Sequence, residues 1–406
     1  MTLKTQVEKG KLTEDLVREI SKQKNEPKWL LDKRLEAFEK LSSLPLPQFV
    51  YGLGISIDIS ELNTENIDPL GSLEEKPILT DKHEKVVVSD FHQALKTHED
   101  LIKKHMLYRQ DVFENRLDAL HTAFWTRGTF IYVPKGVETS VPIKHESLLT
   151  KNTQMENLLI VADPLSKLTI VDIAKSSHKE TGFRSQRVDI FAKESSKIEF
   201  SCIQNLSSVF NISRRSAFMN KDASIDWIIT DIGGSVTKSD ATTYLQEDGS
   251  SVKNIGLFLG KEKQQFDFTI KAVHLAPHTA SDMLTKGALS GRSKTIYRGY
   301  IQIKDTAPKS SGYQKADILL LSQEAEADPI PNLEIDNNDI EKCTHGATVG
   351  QIDRDKMFYM MSRGLSEKEA IKKFVEGLFE PAINRIKLEA IQKNLAEILE
   401  KRLDEI

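Results

Sequence analysis

The sequence predicts a mainly β protein in which a parallel β-solenoid lies between an N-terminal and a C-terminal helical region. Short alternating runs rich in β-branched and aromatic residues begin at Thr129 and continue over much of the chain. Within them a polar turn followed by an apolar strand start recurs. Its apolar anchors are Leu168, Ile198, Ile225 and Val252, which lie 30, 27 and 27 residues apart. A strand repeat of this size without intervening helices is typical of stacked coils.

The chain divides into three regions where this periodicity begins and ends. Residues 1–128 are mainly helical with a linker, residues 129–352 form the solenoid, and residues 353–406 are helical. Short strands at regular spacing also occur in large antiparallel sandwiches and barrels, so that architecture stays open on the pattern alone. The clearest predicted strands cover residues 129–133, 168–172, 187–191, 198–202 and 225–229.

The N-terminal region alternates between helical and irregular patterns. Residues 13–44 are charged, carry apolar residues at helical spacing and predict a helical stretch that Pro45 ends. Residues 50–85 are rich in Gly, Asn, Asp and Pro and predict a linker or irregular structure. Helical patterns return at residues 90–105 and 111–123.

The C-terminal region predicts three helices. Asp353 can cap a helix over residues 355–363, and Gly364 suits the position just after its end. Ser366 and Glu369 have the spacing of a capping box that opens the next helix. Pro381 is expected to interrupt that helix, and apolar residues at helical spacing predict a last one after it.

Composition limits the classes of partner. Lys and Arg number 56 and Asp and Glu 60, and the net charge of −4 gives no field that would attract nucleic acid or an anionic membrane. No apolar run approaches the ~20 residues of a membrane helix, and charged sequence follows Met1 where a secretory signal would be apolar. Cys202 and Cys343 are too few for a disulfide framework. We therefore expect a soluble protein of the reducing cytoplasm without nucleic-acid or membrane partners.

Cys343 and His345 form the sharpest local feature. In a strand, residues i and i+2 project from the same face, so the thiolate and imidazole can converge on one metal ion or cluster edge. A cluster needs about four ligands, and no CxxC motif accompanies the pair. Any cluster bound here is therefore expected to be transient or shared with another chain. The alternative is a buried structural cysteine beside a hydrogen-bonded histidine.

The other candidate ligands have simpler interpretations. Cys202 ends an apolar strand and is expected to be a small core residue, with a sulfur-carrying role as the alternative. His274 and His278 are separated by a proline, which disfavours a helical zinc site and favours solvated histidines in a turn.

Enzyme motifs are missing from the sequence. The segment from Gly233 to Ser239 resembles a phosphate loop, but a Walker A motif needs glycine directly before the lysine, and Thr237 precedes Lys238. No GxSxG, HExxH or strand-led GxGxxG occurs either. We therefore expect a non-enzymatic protein.

Several segments together resemble the SufB/SufD family of iron–sulfur cluster assembly scaffold proteins. They are EPKWLLDKRLEAF at 26–38, LPLP at 44–47, AFW at 123–125, FIYVPKGV at 130–137, QN at 204–205, GAL at 287–289, PNLEI at 331–335 and CTHGATVG at 343–350. The resemblance implies a right-handed parallel β-helix between helical regions. It also implies a pseudo-symmetric SufB–SufD pair that builds nascent clusters, with SufC, an ABC-type ATPase, docked on the C-terminal helices.

By this resemblance the helices of residues 355–363 and 367–379 form the ATPase-docking surface, unless their apolar faces only pack on the β body. The candidate docking residues are Met357, Phe358, Met361, Ala370, Ile371, Phe374 and Val375.

The resemblance is closer to SufD than to SufB. The CTHGAT block resembles SufD, whose histidine there is proposed as an interface cluster ligand and maps onto His345. SufB carries an interface cysteine in the segment that matches residues 314–317, where this chain has Ala316. The expectation is thus a SufD-like subunit that holds a transient iron–sulfur cluster only together with a SufB-like paralog or a second copy. Two alternatives are a β-solenoid polysaccharide-active enzyme and a purely structural homodimer.

Overall fold

A computed structural model describes residues 12–47, 50–51, 55–59, 62, 67–72, 77–80, 84–108, 113–177 and 181–404. In these residues a solenoid of eight coils, each contributing two strands, follows four helices and four short strands and precedes three more helices. The chain is mainly β and parallel, as the repeat predicted.

The N-terminal helices are α1 (Glu14–Gln23), α2 (Lys28–Leu41), α3 (Phe91–Tyr108) and α4 (Arg116–Phe124). The short strands are β1 (Val50–Tyr51), β2 (Ile55–Ser56), β3 (Ile78–Thr80) and β4 (Val87–Asp90), with a 3₁₀ turn at Pro69–Ser72. The predicted stretch of residues 13–44 is two helices, because the chain turns at Asn25, with φ of 50°, before Pro27. Helix α4 begins later than predicted, where the side chain of Asn115 caps it. The first two residues of that predicted helix, 111 and 112, lie outside the described residues.

The strands of the solenoid are β5 (Arg127–Val133), β6 (Ile143–Leu149), β7 (Thr153–Ala162), β8 (Lys167–Ser176), β9 (Gly182–Ala192), β10 (Lys197–Asn205), β11 (Val209–Met219), β12 (Ser224–Asp231), β13 (Val236–Leu245), β14 (Ser251–Gly260), β15 (Gln265–His274), β16 (Ala280–Leu289), β17 (Lys294–Ile303), β18 (Ser311–Leu320), β19 (Glu326–Ile335) and β20 (Lys342–Gln351). All five predicted strands fall within them.

The strands form two parallel sheets that face each other. The even sheet runs from β6 to β20 and the odd sheet from β5 to β19, and β3 and β4 add one antiparallel strand to the first coil of each. The repeat anchors are direct register partners, since Leu168 pairs with Ile198, Ile198 with Ile225 and Ile225 with Val252. The antiparallel alternative is therefore wrong. The short strands β1, β2 and β3 lie in residues 50–85, which were expected to be a linker or irregular structure.

The core lies between the two sheets, and helices cover their outer faces. Large side chains such as Phe200 and Trp227 fill the interior without exposure. The N-terminal helices pack on the outer face of the odd sheet, where Trp125 is buried. The C-terminal helices pack on the outer face of the even sheet, for example through Phe379. The last coil, β19 and β20, is mostly exposed or half-buried.

The C-terminal helices are α5 (Arg354–Ser362), α6 (Glu367–Ile383) and α7 (Glu389–Asp404). The predicted caps are present: Asp353 accepts from two backbone amides of α5, and Ser366 and Glu369 form the capping box of α6. Gly364 has φ of 98°, as its position after α5 requires. The prediction that Pro381 interrupts the helix is wrong, because α6 continues to Ile383. Pro381 lies in the last turn, so its missing N–H removes one hydrogen bond near the end of the helix, and only two helical residues follow it.

One corner of the solenoid repeats a left-handed residue in successive coils. These residues are Gly136, Leu165, Ser195, Asp222, Gly249, His278 and Lys309, with φ between 53° and 71°. The N–H of each donates to a carbonyl at the corner of the next coil, for example Leu165 to Glu194 at 2.9 Å. The corner thus adds a hydrogen-bond ladder to the two sheets.

Leu165 is the bulkiest apolar residue at this corner, and its side chain is 59% exposed. A non-glycine residue in the left-handed region costs roughly 1–2 kcal/mol. We expect Leu165→Gly to raise the free energy of unfolding by about 1 kcal/mol, measured by urea denaturation. The matched change Gly136→Ala introduces a side chain with open space around it and φ of 68°, and it is expected to lower stability by a similar amount. If the left-handed conformation at this corner carried no strain, neither variant would change the free energy of unfolding.

Candidate functional site

The candidate site lies on β20, the last strand of the even sheet. Cys343 and His345 are direct register partners of Gly312 and Gln314 on β18, both of which are buried. The two side chains therefore share the face of β20 that points toward the interior of the solenoid. Within the described chain no further strand pairs with β20 on its other side. The interior of the solenoid therefore ends at β20, and we call this uncovered last coil the open coil.

Cys343 is half-buried and packs against the interior cluster. A Cβ built at Gly312 would lie 3.2 Å from Sγ of Cys343, so the sulfur lies over the backbone of Gly312 in β18. Burial raises the pKa of the Cys343 thiol. The thiol is therefore protonated at neutral pH and would lose its proton on binding a metal ion.

His345 is exposed at the open coil. Its imidazole is therefore accessible to a second molecule, in contrast with a histidine sealed inside one chain. Among the described residues no group of three or more His, Cys, Asp and Glu side chains could hold a metal ion. The pair thus provides two candidate ligands, a thiol and an imidazole, and the described part of this chain brings no third candidate to them.

The two free edges of the last coil differ. Pro329 and Pro331 lie in β19, and a proline has no N–H to offer an added strand. The sequence of β20, KCTHGATVGQ, contains no proline. The edge that carries Cys343 and His345 therefore keeps its backbone donors for pairing with another strand.

The predicted docking residues differ in their solvent exposure. Phe358 and Met361 on α5 are 74% and 43% exposed. Met357, Ile371 and Phe374 are half-buried. Ala370 and Val375 are fully buried and therefore support the helical packing instead of forming a surface.

Helix α5 contributes no buried residue. Between α5, α6 and the end of β18 lies a groove lined by Leu320, Leu321, Met357, Phe358 and Ile371. Arg354 and Glu367 also line the groove. With its exposed aromatic side chain, it is the accessible part of the predicted docking surface.

The remaining candidate ligands are structural. Cys202 is 1% exposed, as expected for a core residue, and accepts a hydrogen bond from Nη2 of Arg215 at 3.0 Å. Burial raises the pKa of its thiol to about 12, so the thiolate form is unavailable near neutral pH. His278 is exposed at the corner, as expected, with Nδ1 2.7 Å from Asp248. His274 is instead fully buried, and the hydroxyls of Thr279 and Ser281 satisfy its two ring nitrogens there.

Two family models match the chain. The model described as "SUF system FeS cluster assembly, SufBD core domain" matches residues 145–378, more than half of the chain, and the "SufBD protein N-terminal region" matches residues 73–144. The chain belongs to the SufBD family. Its core-domain match includes β20 with both candidate ligands and all of the predicted docking residues.

Curated SufBD relatives match along nearly their whole length. The iron-sulfur cluster assembly SufBD family protein of Staphylococcus haemolyticus is 28% identical, with 94% of this chain and 91% of the relative covered. The same identity and coverage hold for the SufBD family proteins of Staphylococcus aureus strains USA300 and NCTC 8325. In this SufBD protein, none of the described helices is long and apolar enough to cross a membrane.

The interior of the SufBD solenoid also holds a buried charge network that was not predicted. Glu156 contacts Arg127 and Arg184 at 3.4 Å, and His145 bonds Asp172 at 2.7 Å, with all five side chains nearly unexposed. Burial alone would lower the pKa of His145, but Asp172 outweighs it and raises the pKa. The only sequence signal was a charged residue inside an apolar strand, such as Glu156 in TQMENLLIVA.

Proposed function

We propose that this chain is a SufD-like scaffold subunit that lends the imidazole of His345 to an iron–sulfur cluster shared with an adjoining subunit. The observation that carries the proposal is the position of Cys343 and His345 on one face of an edge strand at an open coil, with His345 exposed. A ligand pair in this position is reachable by side chains from a second chain.

The chemistry of the pair suits a transient cluster. A neutral imidazole nitrogen can bind iron, and it leaves when it is protonated, which for an unperturbed histidine happens close to physiological pH. Burial raises the pKa of the Cys343 thiol. In this proposal it is a second ligand that binds only after its proton has been transferred to an acceptor. In this proposal the chain itself catalyses no reaction, and its cargo is the assembling cluster.

The SufD-like assignment is supported at Ala316. This residue is buried, and it lies in register between Thr285 on β16 and Ala347 on β20. A cysteine here would place a second thiol beside the Cys343–His345 pair, as the resemblance to SufB implies. Its replacement by alanine leaves this chain dependent on a partner thiolate.

The partner is proposed to be a SufB-like paralog or a second copy, and β20 is the proposed pairing edge. The prolines of β19 and their absence from β20 support this choice of edge. A cytoplasmic location is part of the proposal, since a shared cluster with a free thiol needs a reducing compartment.

The proposal is tested by anaerobic reconstitution with iron and sulfide, followed by visible absorption. The chain alone is expected to retain no stable cluster after desalting, whereas the chain purified with a cysteine-bearing paralog retains one. A full cluster on the isolated monomer would contradict the incomplete ligand set.

Docking of a SufC-like ABC ATPase on α5 and α6 gives a separate prediction. Phe358→Glu places a charge on the most exposed aromatic residue of the groove, and we expect at least a tenfold loss of affinity for the ATPase in a pull-down titration. The matched control is Val141→Glu, which changes a residue 51% exposed at the opposite end of the solenoid. Equal binding by both variants would exclude the groove as the docking surface.

A further inference from the structure

Charge is layered at the open coil, which spans residues 321–352. These residues contain seven acidic side chains and one basic side chain, that of Lys342. The preceding coil, residues 290–320, has the opposite sign, with six basic and two acidic side chains. The acidic residues of the open coil are Glu324, Glu326, Asp328, Glu334, Asp336, Asp339 and Glu341. The last two coils therefore form a basic layer followed by an acidic one.

Ion pairs join these two layers. In each pair the ammonium group belongs to the preceding coil and the carboxylate to the open coil. The pairs are Lys294–Glu326 at 3.0 Å, Lys304–Asp336 at 3.1 Å and Lys309–Asp339 at 2.6 Å. The three acidic side chains are still between 45% and 58% exposed. The basic layer thus neutralises the acidic layer from the inner side, while the carboxylates stay accessible from outside.

Two exposed acidic residues of the open coil have no such partner. Glu324 lies shortly before β19 and Glu341 directly before β20, and neither forms an ion pair within the described residues. The strand β20 itself contains one lysine, Lys342, and no acidic residue. The acidic residues therefore lie in β19 and in the turns beside the edge strand.

Backbone pairing at β20 does not by itself distinguish one partner from another, because every strand offers the same N–H and C=O groups. Paired strands lie about 4.8 Å apart, so the end coil of a partner would come close to the acidic residues of the open coil. Like charges brought together across an interface oppose association, whereas complementary charges favour it. The charge of the incoming coil can therefore decide which partner binds.

We propose that the acidic open coil binds a subunit whose own end coil is basic and rejects a second copy of this chain. The inference rests on the proposed function, and it selects the paralog over the second copy as the partner at β20. A basic end coil would continue the alternation of charge that pairs Lys304 with Asp336. A second copy would instead place acidic residues against acidic residues.

The proposal is tested with two metal-free forms of the chain that differ in charge, so that cluster formation plays no part. A charge-reversed variant has a net charge of +2 in residues 321–352 in place of −6, through Glu324→Lys, Asp336→Lys, Asp339→Lys and Glu341→Lys. We expect the unchanged chain to bind this variant at least tenfold more tightly than it binds itself, measured by sedimentation of a labelled chain. Raising the salt from about 0.01 M to 1 M shortens the Debye length from about 30 Å to 3 Å and should remove most of the difference.

The matched control has the same total charge but leaves the open coil unchanged. It carries four substitutions of exposed acidic residues on helices, namely Asp15→Lys, Glu39→Lys, Asp100→Lys and Glu397→Lys. We expect the unchanged chain to bind this control no more tightly than it binds itself. Equal binding of the control and the charge-reversed variant, or no binding of the charge-reversed variant, would overturn the proposal.

A neutral variant decides the question if the charge-reversed variant does not fold. Four substitutions remove the acidic groups and keep their shape: Glu324→Gln, Asp336→Asn, Asp339→Asn and Glu341→Gln. We expect this variant to bind itself at least tenfold more tightly than the unchanged chain binds itself. Self-association as weak as that of the unchanged chain would show that the acidic residues do not prevent pairing. Either failure would leave the cluster proposal standing, because reconstitution of the His345→Ala variant is measured separately.

Discussion

Replacing Arg34 by alanine is expected to lower the free energy of unfolding by about 3–5 kcal/mol, because it leaves a carboxylate buried without its partner. Arg34 and Glu26 have fully buried side chains and form two hydrogen bonds, of 2.8 and 2.7 Å. The guanidinium also donates to the carbonyl of Ala123 at 3.0 Å and lies 4.4 Å from the ring centroid of Trp125. It thereby joins α2 to the end of α4 against the solenoid.

The lowered pKa of Glu26 shows how strongly Arg34 stabilises the charged carboxylate. Burial alone would raise the pKa of its carboxyl, but Arg34 and His92 outweigh burial and lower the pKa to about 2. Nε2 of His92 lies 2.9 Å from the same carboxylate. Without Arg34, the carboxylate keeps its cost of burial and loses most of what offsets it.

Urea denaturation of the whole chain measures this effect. The matched control is Arg18→Ala, which breaks an exposed pair with Glu14 and is expected to cost less than about 1 kcal/mol. The double variant Arg34→Met with Glu26→Gln removes both charges and is expected to recover much of the loss. A loss as small as that of the control would show that the buried pair does not stabilise the fold.

Stability is expected to fall steeply as the pH decreases from 6.5 to 4. Burial lowers the pKa of His121 and of His274 from 6.5 to about 4. The unfolded chain therefore binds more protons than the folded chain between these values, and stability falls with pH. Each histidine contributes up to about 3 kcal/mol at the acid end of this range.

Other ionisable groups change the stability over the same or neighbouring pH ranges. Burial also lowers the pKa of His92 and His105, which adds to the same trend. Asp172 raises the pKa of His145 against the effect of burial, so this pair stabilises below pH 6.5 and its contribution is lost as the pH rises. The contribution of Glu26, with a pKa of about 2, is lost only between pH 4.5 and 2.

The pH dependence is measured as urea midpoints from pH 8 to 4. His274→Gln cannot gain a proton, so it should flatten the decline and leave the trend from His121. His278→Gln, at an exposed corner position, is the control. If the urea midpoint of His274→Gln fell as steeply with pH as that of the unchanged chain, burial of this imidazole would not cause the acid sensitivity.

The repeat and the caps could be predicted because they depend on neighbours in the sequence. The anchors Leu168, Ile198 and Ile225 are register partners, since a period of one coil brings apolar strand starts above one another. The capping box of Ser366 and Glu369 depends on only four consecutive residues. The i, i+2 spacing likewise placed Cys343 and His345 on one face.

Contacts between residues far apart in the sequence could not be predicted in this way. The partner of Arg34 is Glu26, inside the EPKWLLDKRLEAF segment, but its contacts with Ala123 and Trp125 span about ninety residues of chain. The polar interior from Glu156 to Gln314 depends on side chains that meet only after the coils have stacked. The burial of Ala370 and Val375 depends on how α6 settles on the even sheet.

We propose that His345 is a cluster ligand contributed across a subunit boundary. The most direct measurement is pulsed EPR of the reduced cluster on the assembled complex, with this chain alone labelled with ¹⁵N-histidine. We expect a ¹⁵N coupling typical of an iron-bound imidazole, and we expect His345→Ala to lose this coupling together with most of the cluster. Undiminished cluster formation in His345→Ala, or a cluster without any histidine coupling from this chain, would contradict it.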